Sequence, residues 1–254
     1  MPSRSNNQSP IINNQAGEGI IFGVRIDCLS WTELDQYCQQ ALLEEVPKHI
    51  VTANGEILLR AFRDERYRKI LNSAEVVVPE STNVTWVLSL KGKSVKDITA
   101  GADLVNHLAR IAASEHKSIF LLGGRERIAA KAGERLQQLY PGLKIVGTSS
   151  VDPDNLNILK DIKNSGAEII LVAYGAPKQE EWIAEHKHEL GAKILVGVGG
   201  TFDMLAGVTP RAPVFLRSVH LEWLWRLILQ PSRFGRIWRA VVVFPIRALF
   251  SHST

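Results

Sequence analysis

Two glycine turns closed by polar side chains are the first feature of this chain that could do chemistry. One is Gly175-Ala176-Pro177-Lys178-Gln179, and the other is Gly199-Gly200-Thr201-Phe202-Asp203. Each follows a short apolar run, Ile169 to Tyr174 or Ile194 to Val198, and each leads straight into a helix start. Small residues let a ligand approach the backbone closely. The N–H groups and dipole of a helix start favour an anion, typically a phosphate. Pro177 suits a first helical position, Lys178 adds positive charge, and Gln179 offers a donor and an acceptor. Either turn alone also fits an ordinary βα connection. Two on one sheet point to a phosphate-bearing ligand.

Glu80 is the second candidate. It follows Val76-Val77-Val78-Pro79 and precedes Ser81-Thr82-Asn83. A carboxylate beside apolar walls can have a raised pKa and act as a base. An acid complementing a helix dipole would occupy the same position, so spacing leaves both readings open.

Other patterns exclude chemistry. Gly197-Val198-Gly199-Gly200 and Leu121-Leu122-Gly123-Gly124 lack the G-x-G-x-x-G spacing of a dinucleotide fingerprint, and no Walker motif occurs. Asp152-Pro153-Asp154 is read as a helix opening rather than a metal-binding Asp-x-Asp. His186 and His188 stand two apart and cannot share a helix face. No metal site and no cofactor are expected.

The elements that must position these residues alternate. A strand is expected over Ile20 to Ile26, then a helix opened by the capping box Ser30-Trp31-Thr32-Glu33. His49 to Thr52 reads as a strand, followed by a helix from Asn54 to near Ser73. Glu75 to Val78 is a strand and Ala102 to Ser114 a helix. Ser118 to Leu122 is a strand, with Gly123-Gly124 opening the helix 127–139. Lys144 to Gly147 and the helix Leu156 to Asn164 complete the approach to the glycine turns. Such alternation predicts an α/β fold, a Rossmann-like parallel sheet with helices on both faces. Ligands then bind beyond the carboxyl ends of the strands. That edge collects Thr52, Asn54, Glu80, Gly123, Gly124, Gly175 to Gln179 and Gly199 to Asp203.

Charge divides the chain. From Thr209 onward there are seven arginines and one acid, a net +6, so the remainder carries −2 of the total +4. A nearly neutral body excludes a general nucleic-acid surface, and an anionic partner should meet the tail. Val214 to Leu229 is apolar on nearly every face, and Arg233 to Phe250 mixes aromatics with arginines. Tryptophan with arginine suits a membrane surface. A helix pair packed on the sheet, or on a partner subunit of a homo-oligomer, has the same composition. Residues 1–17 are polar without the apolar core of a signal peptide, so they are expected to be disordered and the protein intracellular. No apolar run reaches the roughly 20 residues that span a bilayer. Cys28 and Cys38 form no disulfide framework and read as packing residues. The expected division is a tail 1–17, a core 18–208 and a helical, membrane-binding appendage 209–254.

Several motifs occur together and in order. They are Thr52-Ala53-Asn54 with Glu56, the strand ending at Pro79 with its following acid, Gly101-Ala102-Asp103-Leu104, Phe120 to Gly124, Tyr140 to Gly147, Gly175 to Glu180, Gly197 to Asp203, Arg211-Ala212-Pro213 and Leu221-Glu222-Trp223-Leu224. The chain resembles the TagA/WecG/CpsF glycosyltransferases, family 26, over roughly residues 20–240. The resemblance implies inverting transfer of an N-acetylmannosamine-type sugar, or its uronic acid, from a UDP donor. The acceptor it implies is a polyprenyl-diphosphate-linked sugar on the cytoplasmic membrane face, reached peripherally through an anionic membrane surface. Glu80 matches the family's proposed base, with Thr52, Asn54 and Gln179 lining the pocket. The donor is expected across Gly123-Gly124 and Gly199-Gly200, with backbone N–H groups facing the diphosphate, Lys178 nearby and Asp203 accepting from the uracil. Arg211, Arg217 and Arg226 are the candidates for the acceptor diphosphate. Two departures stand out: Glu80-Ser81 replaces the family's Asp-Gly, and Asp97 to Ala100 lacks its arginine. A catalytically impaired relative serving as a scaffold is the competing reading.

Overall fold

The structure is a computed structural model that describes residues 17–210, 212–213, 215–216, 222–229 and 231–251. The expectation for residues 1–16 lies outside these.

Six parallel strands form the sheet: β3 (Lys48–Ala53), β4 (Val76–Pro79), β5 (Ser118–Gly123), β6 (Lys144–Ser149), β7 (Ile169–Ala173) and β8 (Ile194–Gly197), in the order β4-β3-β8-β7-β5-β6. The four inner strands are buried nearly throughout, as a sheet covered on both faces requires; β5, β7 and β8 are mostly apolar, whereas β3 also buries Lys48, His49 and Thr52. Edge strand β6 has no buried residue.

Alternate residues of each strand enter different cores. Ile50, Val78, Leu121, Leu171 and Val196 join one continuous cluster with α1 (Trp31–Ala41), α5 (Gly101–Ser114), α6 (Ile128–Leu139) and Phe202 of α9 (Thr201–Leu205). The opposite face carries two clusters. Val51, Ala53 and Val77 pack with α2 (Gly55–Arg63), α3 (Glu65–Ser73) and α4 (Thr82–Leu90). Phe120, Leu122, Ile170, Val172 and Leu195 pack with α7 (Asn157–Ser165) and α8 (Lys178–His186).

The capping box of α1 forms as its sequence predicts: Ser30 Oγ accepts from Glu33 N–H, and the Glu33 carboxylate accepts from Ser30 N–H. Three elements differ from expectation. The single strand over Ile20 to Ile26 is a hairpin, β1 (Glu18–Ile21) and β2 (Val24–Asp27). Phe22 and Gly23, at φ 53° and 74°, make its two-residue turn. Alternation alone does not reveal a reversal that tight. The helix expected to run to Ser73 breaks at Asp64, which ends α2 and caps α3 by accepting from Tyr67 N–H at 3.0 Å. The Asp-Pro-Asp segment does not cap α7, which starts only at Asn157 and has no side-chain cap.

The tail continues as α10 (Glu222–Leu229), a 3-10 turn Pro231–Arg233, α11 (Phe234–Trp238), a π-helical turn Arg239–Val243 and α12 (Phe244–Phe250). Its last part is packed on the body. Phe244 and Ala248 are fully buried in the cluster of α2 to α4. Gly55 makes this possible, since a Cβ there would meet the Phe244 ring at 3.0 Å and the Ala240 carbonyl at 3.1 Å. Asn83 Nδ2 donates to that carbonyl, and Arg236 pairs with Glu56 at 2.9 Å. Phe244, one of the aromatics in the Arg233 to Phe250 stretch whose composition suits a membrane surface, is thus a core residue. Phe234, Trp238, Ile246 and Phe250 remain exposed.

Candidate functional site

The carboxyl edge of the sheet gathers the predicted polar residues. β3 ends at Ala53, and Asn54 caps α2. Its Oδ1 accepts from Glu56 N–H and Ile57 N–H at 3.0 and 3.1 Å. That fixes the amide, and Nδ2 donates to Glu80 Oε2 at 2.8 Å. Glu80 is held next to β3 by its own N–H, which donates to Ala53 O at 2.9 Å.

Gly101, the first residue of α5, is where the oxygens converge. A Cβ there would lie 3.5 Å from Glu80 Oε1, 3.5 Å from Thr201 Oγ1 and 3.8 Å from Thr52 Oγ1. Thr52 and Thr201 are both buried. Strand β3, strand β4, the start of α5 and the start of α9 therefore deliver Thr52, Glu80, Gly101 and Thr201 to one point. Sequence reasoning gave Thr52, Asn54 and Glu80 roles of their own, whereas Thr201 stood only within the Gly199 to Asp203 turn and Gly101 only within the Gly101 to Leu104 motif. Nothing local marks Gly101 as part of the edge, since in sequence it follows α4 and the loop 91–100 rather than a strand. Asp97, in the segment that lacks the family's arginine, accepts from Trp31 N–H at 2.9 Å and so supports the start of α1.

Gln179 lies in the adjoining seam. Its Oε1 accepts from Gly175 N–H and from Gly199 N–H, both at 3.0 Å, so one amide ties the two glycine turns together. Its Nε2 donates to Glu180 Oε1 at 2.7 Å. Gly197 has no Cβ for this reason, since one would sit 2.5 Å from Gln179 Nε2. Glu180 is itself buried and accepts from Tyr67 Oη–H at 3.0 Å. Burial pushes its carboxyl up to about 7 against the two hydrogen bonds, and the charge of Glu80 adds to the rise.

The glycines expected to face a donor diphosphate carry a correction. Gly124 N–H donates to Ala173 O at 3.1 Å and Gly199 N–H to Gln179, so these two groups are engaged within the protein rather than turned to a diphosphate. Gly123 and Gly124 have φ of 93° and 78°, and a Cβ on Gly123 would approach Ala173 C to 2.9 Å. Their glycines are needed for the turn and for the neighbouring strand. Gly200 and Lys178 are exposed at the starts of α9 and α8. Asp203 pairs with Arg125 at 2.8 Å across the two loops. Arg125 was missed by sequence reasoning, although a basic residue directly after Gly123-Gly124 was a readable signal. Arg211 and Arg217 lie outside the described residues, and so does the side chain of Arg226, whose backbone is in α10. Among the described residues, no group of three or more His, Cys, Asp or Glu side chains is arranged to hold a metal ion. No helix among them is long and apolar enough to cross a membrane.

Comparison with known proteins adds a family. Residues 20–254 match the profile of the Glycosyl transferase WecG/TagA/CpsF family. A protein of Bacillus spizizenii (strain W23) named N-acetylglucosaminyldiphosphoundecaprenol N-acetyl-beta-D-mannosaminyltransferase is 34% identical over 207 residues, 80% of this chain and 79% of that protein. Proteins of the same name from Staphylococcus aureus strains MRSA252 and NCTC 8325 are each 31% identical over 196 residues, 77% of both chains.

Proposed function

Because this chain belongs to the WecG/TagA/CpsF family of glycosyl transferases, we propose that it moves an N-acetylmannosamine-type sugar, or its uronic acid, from UDP to a polyprenyl-diphosphate-linked N-acetylglucosamine. The observation that carries this reading is the convergence of Glu80 Oε1, Thr52 Oγ1 and Thr201 Oγ1 at the start of α5. Glu80 takes the proton of the acceptor hydroxyl as its oxygen attacks the anomeric carbon. UDP leaves from the opposite face, and the centre inverts. Asn54 holds one carboxylate oxygen by its amide, so the other is oriented towards the reacting hydroxyl. Thr52 and Thr201 supply hydroxyls to the sugar, and the dipole of α5 stabilises negative charge at its start.

Arg125 and Asp203 face each other across the donor side. In this reading Asp203 accepts from the uracil N3–H, and Arg125 and Lys178 answer the diphosphate charge. Gln179 holds the two turns at their spacing. Arg211, Arg217 and Arg226 meet the acceptor diphosphate, because a guanidinium fork bonds phosphate oxygens in pairs. The protein works at the inner face of the membrane, with Phe234 and Trp238 of the 209–254 appendage at the lipid surface. The part from Ala240 onward stays docked on the body.

The test is UDP release by the purified protein from UDP-N-acetylmannosamine, with a lipid-diphosphate N-acetylglucosamine acceptor. Turnover that disappears when either substrate is left out supports the reading. A screen of UDP-sugars in which none releases UDP would sink it.

A further inference from the structure

The Gln179–Glu180–Tyr67 array is more elaborate than stability requires. Glu180 is 1% exposed and Tyr67 is 0% exposed. An apolar pair of similar size there would avoid the cost of burying a carboxyl, and replacing buried polar groups in this way is often neutral or stabilising. The geometry shows what the carboxyl does instead. Gln179 Oε1 receives two backbone N–H groups, from turns that follow different strands. The amide holds this orientation only while Nε2 has an acceptor on its other side, and Glu180 Oε1 is that acceptor. Glu180 Oε2 is in turn anchored by the Tyr67 hydroxyl on α3, 113 residues away in sequence. Burial and the neighbouring Glu180 hold the Tyr67 hydroxyl far above its ordinary pKa, so it stays a donor.

We propose that Glu180, anchored by Tyr67, is a positioning residue for sugar transfer: it acts through Gln179 to set the spacing of the Gly175 and Gly199 turns on the donor side. This rests on the glycosyl transfer proposed above. Glu180 reaches no reacting atom in this role.

The test combines kinetics with amide hydrogen exchange on Glu180→Ala, Glu180→Gln and Tyr67→Phe. Glu180→Ala leaves Gln179 Nε2 without its acceptor. It is expected to lower kcat/KM for the UDP-sugar on the order of 10- to 100-fold, as a displacement of up to about 1 Å does. The acceptor KM should not move. Exchange at the Gly175 and Gly199 amides should accelerate together. Glu180→Gln keeps an acceptor for Gln179 and should restore both readouts to near wild type. Tyr67→Phe should give a smaller loss of the same kind, and it decides the matter should Glu180→Ala fail to fold. Unchanged exchange at both glycines in folded Glu180→Ala or, failing that, in Tyr67→Phe would overturn the proposal. So would a Glu180→Gln variant no better than Glu180→Ala. A wild-type protein that releases no UDP would sink the functional reading, whereas exchange would still report whether Glu180 holds the turns.

Discussion

Asn54–Glu80 and Gln179–Glu180 are built alike. In each pair the amide oxygen accepts from two backbone N–H groups, and the amide nitrogen donates to a glutamate oxygen. They differ in burial. Glu80 is half-buried at the mouth of the sheet edge, beside Thr52 and Thr201, whereas Glu180 is sealed between α3 and α8. In the proposed reading the same local device presents one carboxyl to a substrate and uses the other as a strut. The environment decides the role, and the chemical group alone does not.

The strongest way to break this comparison is one substitution made in both pairs. Glu80→Gln removes the proposed base and keeps the shape. It should cost on the order of 100- to 10,000-fold in kcat. Glu180→Gln should keep transfer near the wild-type rate. Equal losses in a UDP-release assay would show that the two carboxyls do not divide the work.

Asn54→Asp sharpens the exposed half. The aspartate still caps α2, so the melting temperature should stay close to wild type. It sets a carboxylate against Glu80 where an N–H donor stood, and transfer should fall on the order of 100-fold. A variant as active as wild type would show that Glu80 needs no amide to orient it.

The buried half predicts a pH dependence of stability. Folding raises the Glu180 carboxyl from 4.5 to about 7. Below about pH 4.5 both states hold the proton and there is no penalty. Between 4.5 and 7 the unfolded chain ionises first, so stability falls as pH rises, and above about 7 the loss is complete. Glu180→Gln does not titrate. Denaturant melts should show it gaining on wild type from pH 4.5 to 8, by up to roughly 3 kcal/mol. A constant difference across that range would mean that Glu180 ionises as an ordinary carboxyl.

The smallest effect tests the fit of the strut. Gly197→Ala sets a methyl 2.5 Å from Gln179 Nε2. Overpacking of this kind costs about 1–3 kcal/mol, and the donor KM should rise while the acceptor KM holds. No change in either would show that the Gln179 amide can shift without consequence.

Much of the fold was legible because its signals are local. The apolar runs Ile169 to Tyr174 and Ile194 to Val198 needed two covered faces, and glycines closed them. The capping box at Ser30 and Glu33 lies within one helical turn. The hairpin at Phe22-Gly23 was not legible, because its alternating apolar residues read equally well as one strand. The docking of Phe244 was hidden too. An aromatic among arginines has the composition of a membrane surface until a glycine at position 55 opens a place for it. In the site, Glu80, Asn54 and Thr52 could be named from their positions at strand ends. Thr201 was legible only as part of the Gly199 to Asp203 turn and Arg125 only as a basic residue after Gly123-Gly124, since what each faces depends on which loops come together.

The sequence by itself determined the βα alternation, most of its elements and the residue types at the sheet edge. Propensity, capping and periodicity act over a few residues, so a single chain displays them openly. Only the tertiary structure decided the strand order β4-β3-β8-β7-β5-β6, and with it which side chains meet at the sheet edge. Asn54 reaches Glu80 across 26 residues and Tyr67 reaches Glu180 across 113. Such contacts form when crossovers bring distant strand ends together and burial settles which carboxyl water can reach.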